Sequence, residues 1–547
     1  MGKLVLVLVS TALAAMAFGP PAAARQHGPG KVDIDSLSAD PSRVTGGDVL
    51  LTVDVPRKLS AKRLRIERNG TDVTPAFHPD PARPRRLVGL VDGLTLGRNR
   101  IEAFGARRSQ RHSKRLGELT LRNHPITGPV FSGAHQTPFI CRTGETELGP
   151  PTDADCSAPR RTEFFYRSTE GGFRPLPDPA SRPADLAQTT TRSGETVDYV
   201  VRVESGTINR AIYRWAVLAA GGERGEGWNR RLVYEYGGGC GTGYHQGTLG
   251  QGVVLDDAVL SQGYAKASAS LNTFQTACNE VLSAETTMMV KERVIESLGA
   301  APVWTMGSGG SGGAIQQLSI AHNYPGLLDG IVPALAFQDA QLGEPVDCRL
   351  LNRYFDGPGA ALTPAQRQAI NGYRNILSCV AWDVAFADVI VAGIGCDSVV
   401  PANLIYNALT NPTGARCTIW DSNVNIWGRD PATGFGRRTL DNVGVQYGLR
   451  ALQEGAITAD QFLDLNEKIG GYDNDGNPRP ERAVADPAAL AIGYRTGRIN
   501  SGDGGLPKVP ILDVRPYSDF PQIDTPTSTP TSCGSGCGGR TARPPTR

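Results

Sequence analysis

A serine hydroxyl is a weak nucleophile until a base takes its proton and hydrogen-bond donors await the charge that develops on the substrate. Ser311 lies in Met306-Gly307-Ser308-Gly309-Gly310-Ser311-Gly312-Gly313, which has the composition of a linker but the spacing G-x-S-x-G. Chance alone would place that pattern about half a time in a chain this long and this rich in glycine, so the flanks must decide. Before it, Val303-Trp304-Thr305-Met306 is a short apolar run; after it, Ala314-Ile315-Gln316-Gln317-Leu318-Ser319-Ile320-Ala321 reads as a helix. Strand, sharp turn and helix in that order predict a nucleophile elbow, where glycines two before and two after the serine let strand and helix approach closely.

Its partners can be sought in the same way. One oxyanion donor is expected at the backbone N–H of Gly312, where the helix starts, and a second in a loop after an earlier strand. Residues 232–236 read as that strand and Gly237-Gly238-Gly239-Cys240-Gly241 follow it, which points to the amide of Gly239 or Cys240. The acid should follow a late strand: residues 509–514 precede Asp519, and Asp513 within the strand is the alternative. Such a carboxylate orients the base and stabilises its imidazolium.

The base is the difficulty. The chain order for this architecture is Ser, Asp, then His. All seven histidines (His27, His78, His112, His124, His135, His245 and His322) precede Asp519. His322 lies on the same predicted helix as Ser311 but about 16 Å further along its axis, too far to take the proton. Two accounts remain. In one, His245 of the glycine-rich segment substitutes as base. In the other, which is favoured, truncation or a slip of reading frame has removed the normal C-terminus, because TPTSTPTSCGSGCGGRTARPPTR after Asp524 has no apolar periodicity. Activity would then be weak or absent.

The elements that must position these residues follow from periodicity. From residue 197 onward two antiparallel-looking strands (VDYVVRV, AIYRWAVLA) precede an alternation of RLVYEY, a glycine-rich loop, GYAKASAS, a helix, PVWTM, a second helix and LLDGIVPA. Alternation of this kind predicts a parallel sheet with helices on both faces. The first helix is expected over residues 285–298, with Ser283 as N-cap, Gly299 as its stop, and Met288, Met289, Val294, Ile295 and Leu298 as its buried stripe. Residues 341–505 are irregular and helical, an insertion expected to lie over the sheet's carboxyl edge as a lid before VPILDV resumes the sheet. Within it, Asp473 and Asp475 of GYDNDGNP could offer oxygens to Ca²⁺, but the glutamate of a calcium loop is missing and an Asx turn is the plainer reading. No other cofactor is expected. Ahead of the sheet, residues 31–122 show short alternating strands with turn signals at Asn69-Gly70 and at 97–99, the texture of a small immunoglobulin-like β-sandwich. Residues 123–196 connect the two.

Composition bounds the setting. A chain of 547 residues, 40% hydrophobic and 20% charged, is globular and long enough for two or three domains. Residues 1–24 read as a secretory signal, with an apolar stretch too short for the roughly 20 residues of a bilayer crossing. Export permits disulfides, and eight cysteines fall in the body (Cys141, Cys156, Cys240, Cys278, Cys348, Cys379, Cys396, Cys417) with Cys533 and Cys537 in the tail. Nearest-neighbour pairing is one of about a hundred possible connectivities. The net charge of +2 conceals a front module, residues 25–122, with 20 Lys and Arg against 11 Asp and Glu. A basic face can hold an anionic envelope polymer, although charge runs are more often solvated surface.

The segments WNRRLVYEYGGGCGTG, LSQGYAKASASLNT and GSGGSGGAIQQLSIAHNYPGLLDGIVPA together resemble the tannase and feruloyl esterase group of α/β-hydrolases, in which a glycine-rich loop, a GYA-containing strand and an elbow leading to YP…DGI occur in this order. A closer likeness is to a secreted bacterial family without assigned activity, domain of unknown function 6351. The resemblance covers roughly residues 123–341 and 506–519, leaving the front module outside it, and implies a serine carboxylesterase with Ser311 as nucleophile. In two places the chain departs from the pattern. Tyr236 stands where HGGG-type loops have histidine, and Gly310 stands where tannases carry a cysteine bridged to one beside the catalytic histidine, so the substrate class does not carry over. The expectation is a secreted α/β protein, extracellular or periplasmic: an α/β-hydrolase sheet with a helical, disulfide-bridged lid, preceded by an immunoglobulin-like β-sandwich. It would act on a small-molecule or polymeric ester, not on nucleic acid. The alternative is a non-catalytic envelope- or polymer-binding protein that uses the basic front module.

Overall fold

The structure is a computed structural model that describes residues 31–105, 114–222 and 225–515. The expected signal peptide, Asp519 and the tail lie outside the described residues.

The front module is built from two sheets. Asp33–Ser36, Val49–Asp54, Arg83–Val91 and Phe77–Asp80 form one; Val44–Thr45, Arg115–His124, Gly97–Gly105, Leu64–Arg68 and Thr71–Asp72 form the other. Val49, Leu51 and Val53 of the first meet Ile66, Ile101 and Leu121 of the second in one core, as expected where one face of each sheet is apolar. Asn69 and Gly70 turn the tight hairpin between Leu64–Arg68 and Thr71–Asp72 with φ of 49° and 84°, the left-handed backbone that such turns require.

The second body is an eight-stranded sheet. Its strands in chain order are β1 (Arg161–Arg167), β2 (Phe173–Pro175), β3 (Val200–Ile208), β4 (Ala211–Leu218), β5 (Arg231–Glu235), β6 (Ala265–Ala269), β7 (Trp304–Gly310) and β8 (Gly330–Ala334). Their spatial order is β2-β1-β3-β4-β6-β5-β7-β8, antiparallel up to the β4–β6 pair and parallel from β6 to β8. Ile511 and Val514 then pair in parallel with Ile331 and Ala334, so the sheet resumes at the segment expected to do so. Helix α1 (Glu280–Leu298) crosses from β6 to β7 and helix α2 (Gly312–Asn323) from β7 to β8. The core between helices and sheet is filled by Tyr234, Tyr236, Ala267, Val290, Val294, Leu318 and their neighbours.

Helix α1 differs from its sequence reading in two ways. It starts earlier, capped by Asn279, whose side chain accepts from the Leu282 N–H at 3.0 Å, and it stops as expected at Gly299 with φ of 67°. Ser283, read as the cap, is buried and donates to Gln316 Oε1 at 2.6 Å. Beside the expected Met289, Val294 and Ile295, the helix also buries Glu285, Glu292 and Glu296.

Residues 341–505 form an insertion of helices and irregular chain with its own apolar core, which includes Leu351, Trp382, Trp420 and Trp427. That core is continuous with Cys240, Phe274, Cys278 and Ile315, residues of the loops and helix that follow the carboxyl ends of β5, β6 and β7. Polar contacts reinforce the junction: Arg498 Nη1 lies 2.7 Å from Glu280 Oε2 and Asn423 Nδ2 donates to the Cys278 carbonyl at 3.1 Å. Among the described residues there are four disulfides, Cys141–Cys156, Cys240–Cys278, Cys348–Cys379 and Cys396–Cys417, which is the nearest-neighbour map for the eight body cysteines; the last two lie within the insertion. Among the described residues, no helix is long and apolar enough to cross a membrane.

Candidate active site

Strand β7 runs straight into the glycines, and the chain reverses at Ser311, with φ 57° and ψ −121°. A non-glycine residue at such angles carries strain that its surroundings must hold in place. Here the restraints are specific. The Ser311 N–H donates to the Ala334 carbonyl at 2.9 Å, and its own carbonyl accepts from the Ala314 N–H at 2.8 Å. Gln317 Nε2 donates to the carbonyls of Gly309 and Gly313, 2.9 and 3.0 Å away, while its Oε1 accepts from the Val332 N–H at 3.0 Å. One buried amide side chain thereby ties both arms of the bend to β8. The Ser311 hydroxyl is partly exposed and makes no hydrogen bond to the described residues.

The glycines are required by close approach. A Cβ at Gly309 or Gly313 would stand 2.2 or 2.3 Å from the Tyr236 carbonyl oxygen, and one at Gly312 would stand 2.2 Å from the Gly239 carbonyl. The 237–241 loop is therefore pressed against the elbow: a Cβ at Gly238 would lie 3.5 Å from Ser311 Cβ. Three of the loop's carbonyls are taken up by backbone N–H groups, at Gly237 from Phe274 (3.1 Å), at Gly238 from Gln275 (2.8 Å) and at Gly241 from Cys278 (2.8 Å), while that of Gly239 points at Gly312. Its amides at Gly238, Gly239 and Cys240 find no acceptor among the described residues, and the Gly312 N–H is one of the unpaired donors of a helix's first turn. Such amides beside a free hydroxyl can receive negative charge that develops on an acyl carbon's oxygen. Gln316 joins loop to elbow, its Nε2 donating to the Gly237 carbonyl at 2.9 Å. Neither glutamine was singled out from sequence, where both read as ordinary helix residues. Tyr236 is buried, its hydroxyl 3.1 Å from Thr287 Oγ1.

The Cys240–Cys278 bridge fastens this loop to the residues just before α1. Replacing both cysteines by alanine should lower stability by about 4 kcal/mol, because the bridge closes a 38-residue span in the unfolded chain. A denaturant titration with the other bridges intact measures this, and an unmoved midpoint would mean that hydrogen bonds alone hold the loop.

The remaining sequence candidates fall as follows. Ala334 pairs with Gly310 on one side and with Val514 on the other, so Val514 stands one strand away from the elbow; Asp519 lies outside the described residues. Asp513 forms an ion pair with Arg515 at 2.7 Å. His245 is buried; its Nδ1 accepts from the Gly247 N–H at 3.2 Å and its Nε2 lies 3.7 Å from Asp397 Oδ2, so both ring nitrogens face groups other than Ser311. Burial pushes its imidazole toward the neutral form, with Asp397 opposing. It lines a cavity of about 610 Å³ with Thr242, Cys278, Asn423 and Arg429, and Ser311 is not among that cavity's lining residues. His322 is wedged under Gly497 and Gly504, not free on a surface. Asp473 closes an Asx turn, accepting from the N–H groups of Asp475 and Asn477 at 2.9 and 2.8 Å, and Asp475 pairs with Arg416 at 2.8 Å. No group of three or more potential metal ligands occurs among the described residues.

Residues 34–529 match the model of the tannase-like family of unknown function (DUF6351), and the chain belongs to that family. The match takes in the front module, which corrects the narrower span drawn from the motifs. No curated protein matches the chain. Similar solved structures include an esterase from Aspergillus oryzae (12% identity, 70% of this chain and 75% of that one, TM-score 0.30). A tannin acyl hydrolase from Aspergillus niger is similar at 13% identity, with 71% and 75% covered and TM-score 0.30. Feruloyl esterase B from Aspergillus oryzae is similar at 13% identity, with 66% and 71% covered and TM-score 0.29. At such scores these likenesses assign no residue roles.

Proposed function

We propose that this chain is a secreted serine carboxylesterase-type hydrolase that works through an acyl-enzyme on Ser311. The observation that carries this reading is Ser311 at a strained bend, its hydroxyl without a hydrogen bond and its Cβ against a loop whose amides at Gly238, Gly239 and Cys240 find no acceptor among the described residues. Ser311 attacks the ester carbonyl, the amides of Gly312 and of Gly239 or Cys240 hold the oxyanion, the alcohol leaves, and water releases the acid. Asp519 is the acid of the triad, whose role is to orient a base; that base is left unassigned, because both ring nitrogens of His245 are engaged elsewhere. The insertion serves as lid, and the front module, read as immunoglobulin-like, carries its basic charge toward an anionic surface.

An organophosphonate tests the assignment. After incubation with a fluorophosphonate, peptide mass spectrometry should find the adduct on Ser311. An adduct elsewhere, or none, while p-nitrophenyl acetate is still hydrolysed, would overturn the serine mechanism. Neither adduct nor hydrolysis would favour the binding-protein reading.

A further inference from the structure

Helix α1 turns Glu285, Glu292 and Glu296, all buried, toward the front module and the segment that joins it to the sheet. These positions recur at heptad spacing and its next turn, so they share one helix face. Glu285 is fully served by donors: the N–H groups of Val130, Phe131 and Ser132 at 2.9, 2.5 and 2.7 Å and the Ser132 hydroxyl at 2.8 Å. Glu292 and Glu296, one turn apart, reach the front module itself. Glu292 accepts from the Thr45 N–H at 3.1 Å and its hydroxyl at 2.5 Å, and Glu296 accepts from the Ser38 hydroxyl at 3.0 Å. Between them Ile295 packs on Leu50 and Val88 of the module.

The charges that face this pair do not neutralise it. From the front module come Asp48 and, beyond it, Asp92. Arg293 on α1 acts on Glu296, but its Nε and Nη2 donate to Glu204 of β3, at 2.8 and 2.9 Å, where Tyr213 of β4 also donates at 2.8 Å and Arg202 approaches to 3.3 Å. Arg160, at the start of β1, acts on Asp48. Lys291 donates to the Leu327 carbonyl at 2.8 Å instead. Two carboxyls one helical turn apart and buried are driven toward the protonated form by desolvation and by each other's charge, and the Thr45 and Ser38 donors and Arg293 oppose this only in part.

We propose that the seat between the front module and α1 is a pH-operated latch: the module docks on the protonated carboxyls of Glu292 and Glu296, and its hold loosens as they ionise in alkaline solution. Burial pushes Glu292 up to about 8 and holds Glu296 well above the ordinary carboxyl range, with Glu292 and Asp48 adding to it. Both are raised above their unfolded value, so the docked state keeps protons that the open state releases. The contribution is complete below about pH 4.5 and falls as pH rises toward 8 for Glu292, and Glu296, also raised, adds to the fall. The opening constant should climb about tenfold per pH unit for each proton released.

Hydrogen exchange of the full chain reads this directly, because the Thr45 amide donates to Glu292. Between pH 6 and 8 its protection factor, corrected for intrinsic exchange, should fall about tenfold per pH unit or more, while Val53 inside the sandwich keeps its protection. In Glu292→Gln/Glu296→Gln the amide retains an acceptor and the pH dependence should vanish. A flat wild-type profile, or the same slope in the double variant, overturns the latch. If the variant does not fold, carbon-13 titration of site-assigned glutamate carboxyls in the wild type decides: late titration of the Glu292 and Glu296 signals sustains it, and titration of both near pH 4.5 overturns it, whatever the buried Glu280 does.

Discussion

Ser311→Ala should lower the rate of p-nitrophenyl acetate hydrolysis by about 10³-fold or more and leave the unfolding midpoint where it was. The two halves of this expectation have separate causes. The hydroxyl makes no hydrogen bond within the described residues, so its removal costs no contact, and alanine at φ 57° bears the same backbone strain that serine does. What disappears is the nucleophile. The oxyanion amides remain in the variant and still favour attack by water, so the ratio of the two rates measures acyl transfer to Ser311 alone. A ratio near 10⁶ would match a complete triad acting as one unit, about 10³ a serine served by a poor base; equal rates would reject the assignment. Ser308→Ala, three residues earlier in β7, should keep the wild-type rate, which separates chemistry at the bend from disturbance of the strand.

What could be read in advance divides along a physical line. The elbow was legible because the feature is local: only glycine tolerates carbonyls at 2.2 Å from its missing Cβ, so the backbone's needs are written directly in the residue types. The hairpins of the front module were legible for a similar reason, since Asn69-Gly70 supplies the left-handed turn that a tight hairpin demands. The nearest-neighbour disulfides also follow from locality, with separations of 15 to 38 residues inside compact segments. The polar face of α1 was not legible. Glu285, Glu292 and Glu296 look like a solvated face, and nothing in their spacing announces that another module covers them. Their partners, Thr45 and Ser38, stand some 250 positions away (|i−j| of 247 and 258). The cap of α1 failed on the same ground, because Ser283 is spent on Gln316 across the helix pair and Asn279 takes its place. The base of the triad belongs to neither class: both nitrogens of His245 are directed to Gly247 and Asp397, and the segment that would hold Asp519 lies beyond residue 515.

Gly309→Ala should be the most damaging single substitution in the sheet, lowering stability by more than about 4 kcal/mol and abolishing the yield of soluble protein, whereas Gly299→Ala should cost about 1 kcal/mol. Both glycines have positive φ, 144° and 67°, so both pay for a Cβ in backbone strain. Their surroundings separate them. Nothing lies within 4 Å of a Cβ at Gly299, but at Gly309 it would meet the Tyr236 carbonyl oxygen at 2.2 Å and its carbon at 3.1 Å. Backbone atoms of an adjacent strand end cannot swing aside like a side chain. Relief would require β5 and β7 to part, yet Tyr234 and Glu235 of β5 are paired with Gly307 and Ser308 of β7, and the Tyr236 N–H donates to the Ser308 carbonyl at 2.8 Å. The same displacement would carry the 237–241 loop away from Ser311, so any folded fraction should also fail to take up the phosphonate. Thermal melts of the two variants, with phosphonate labelling of whatever remains soluble, check both claims. A Gly309→Ala protein as stable and as readily labelled as Gly299→Ala would show that strand and loop do not meet at this contact.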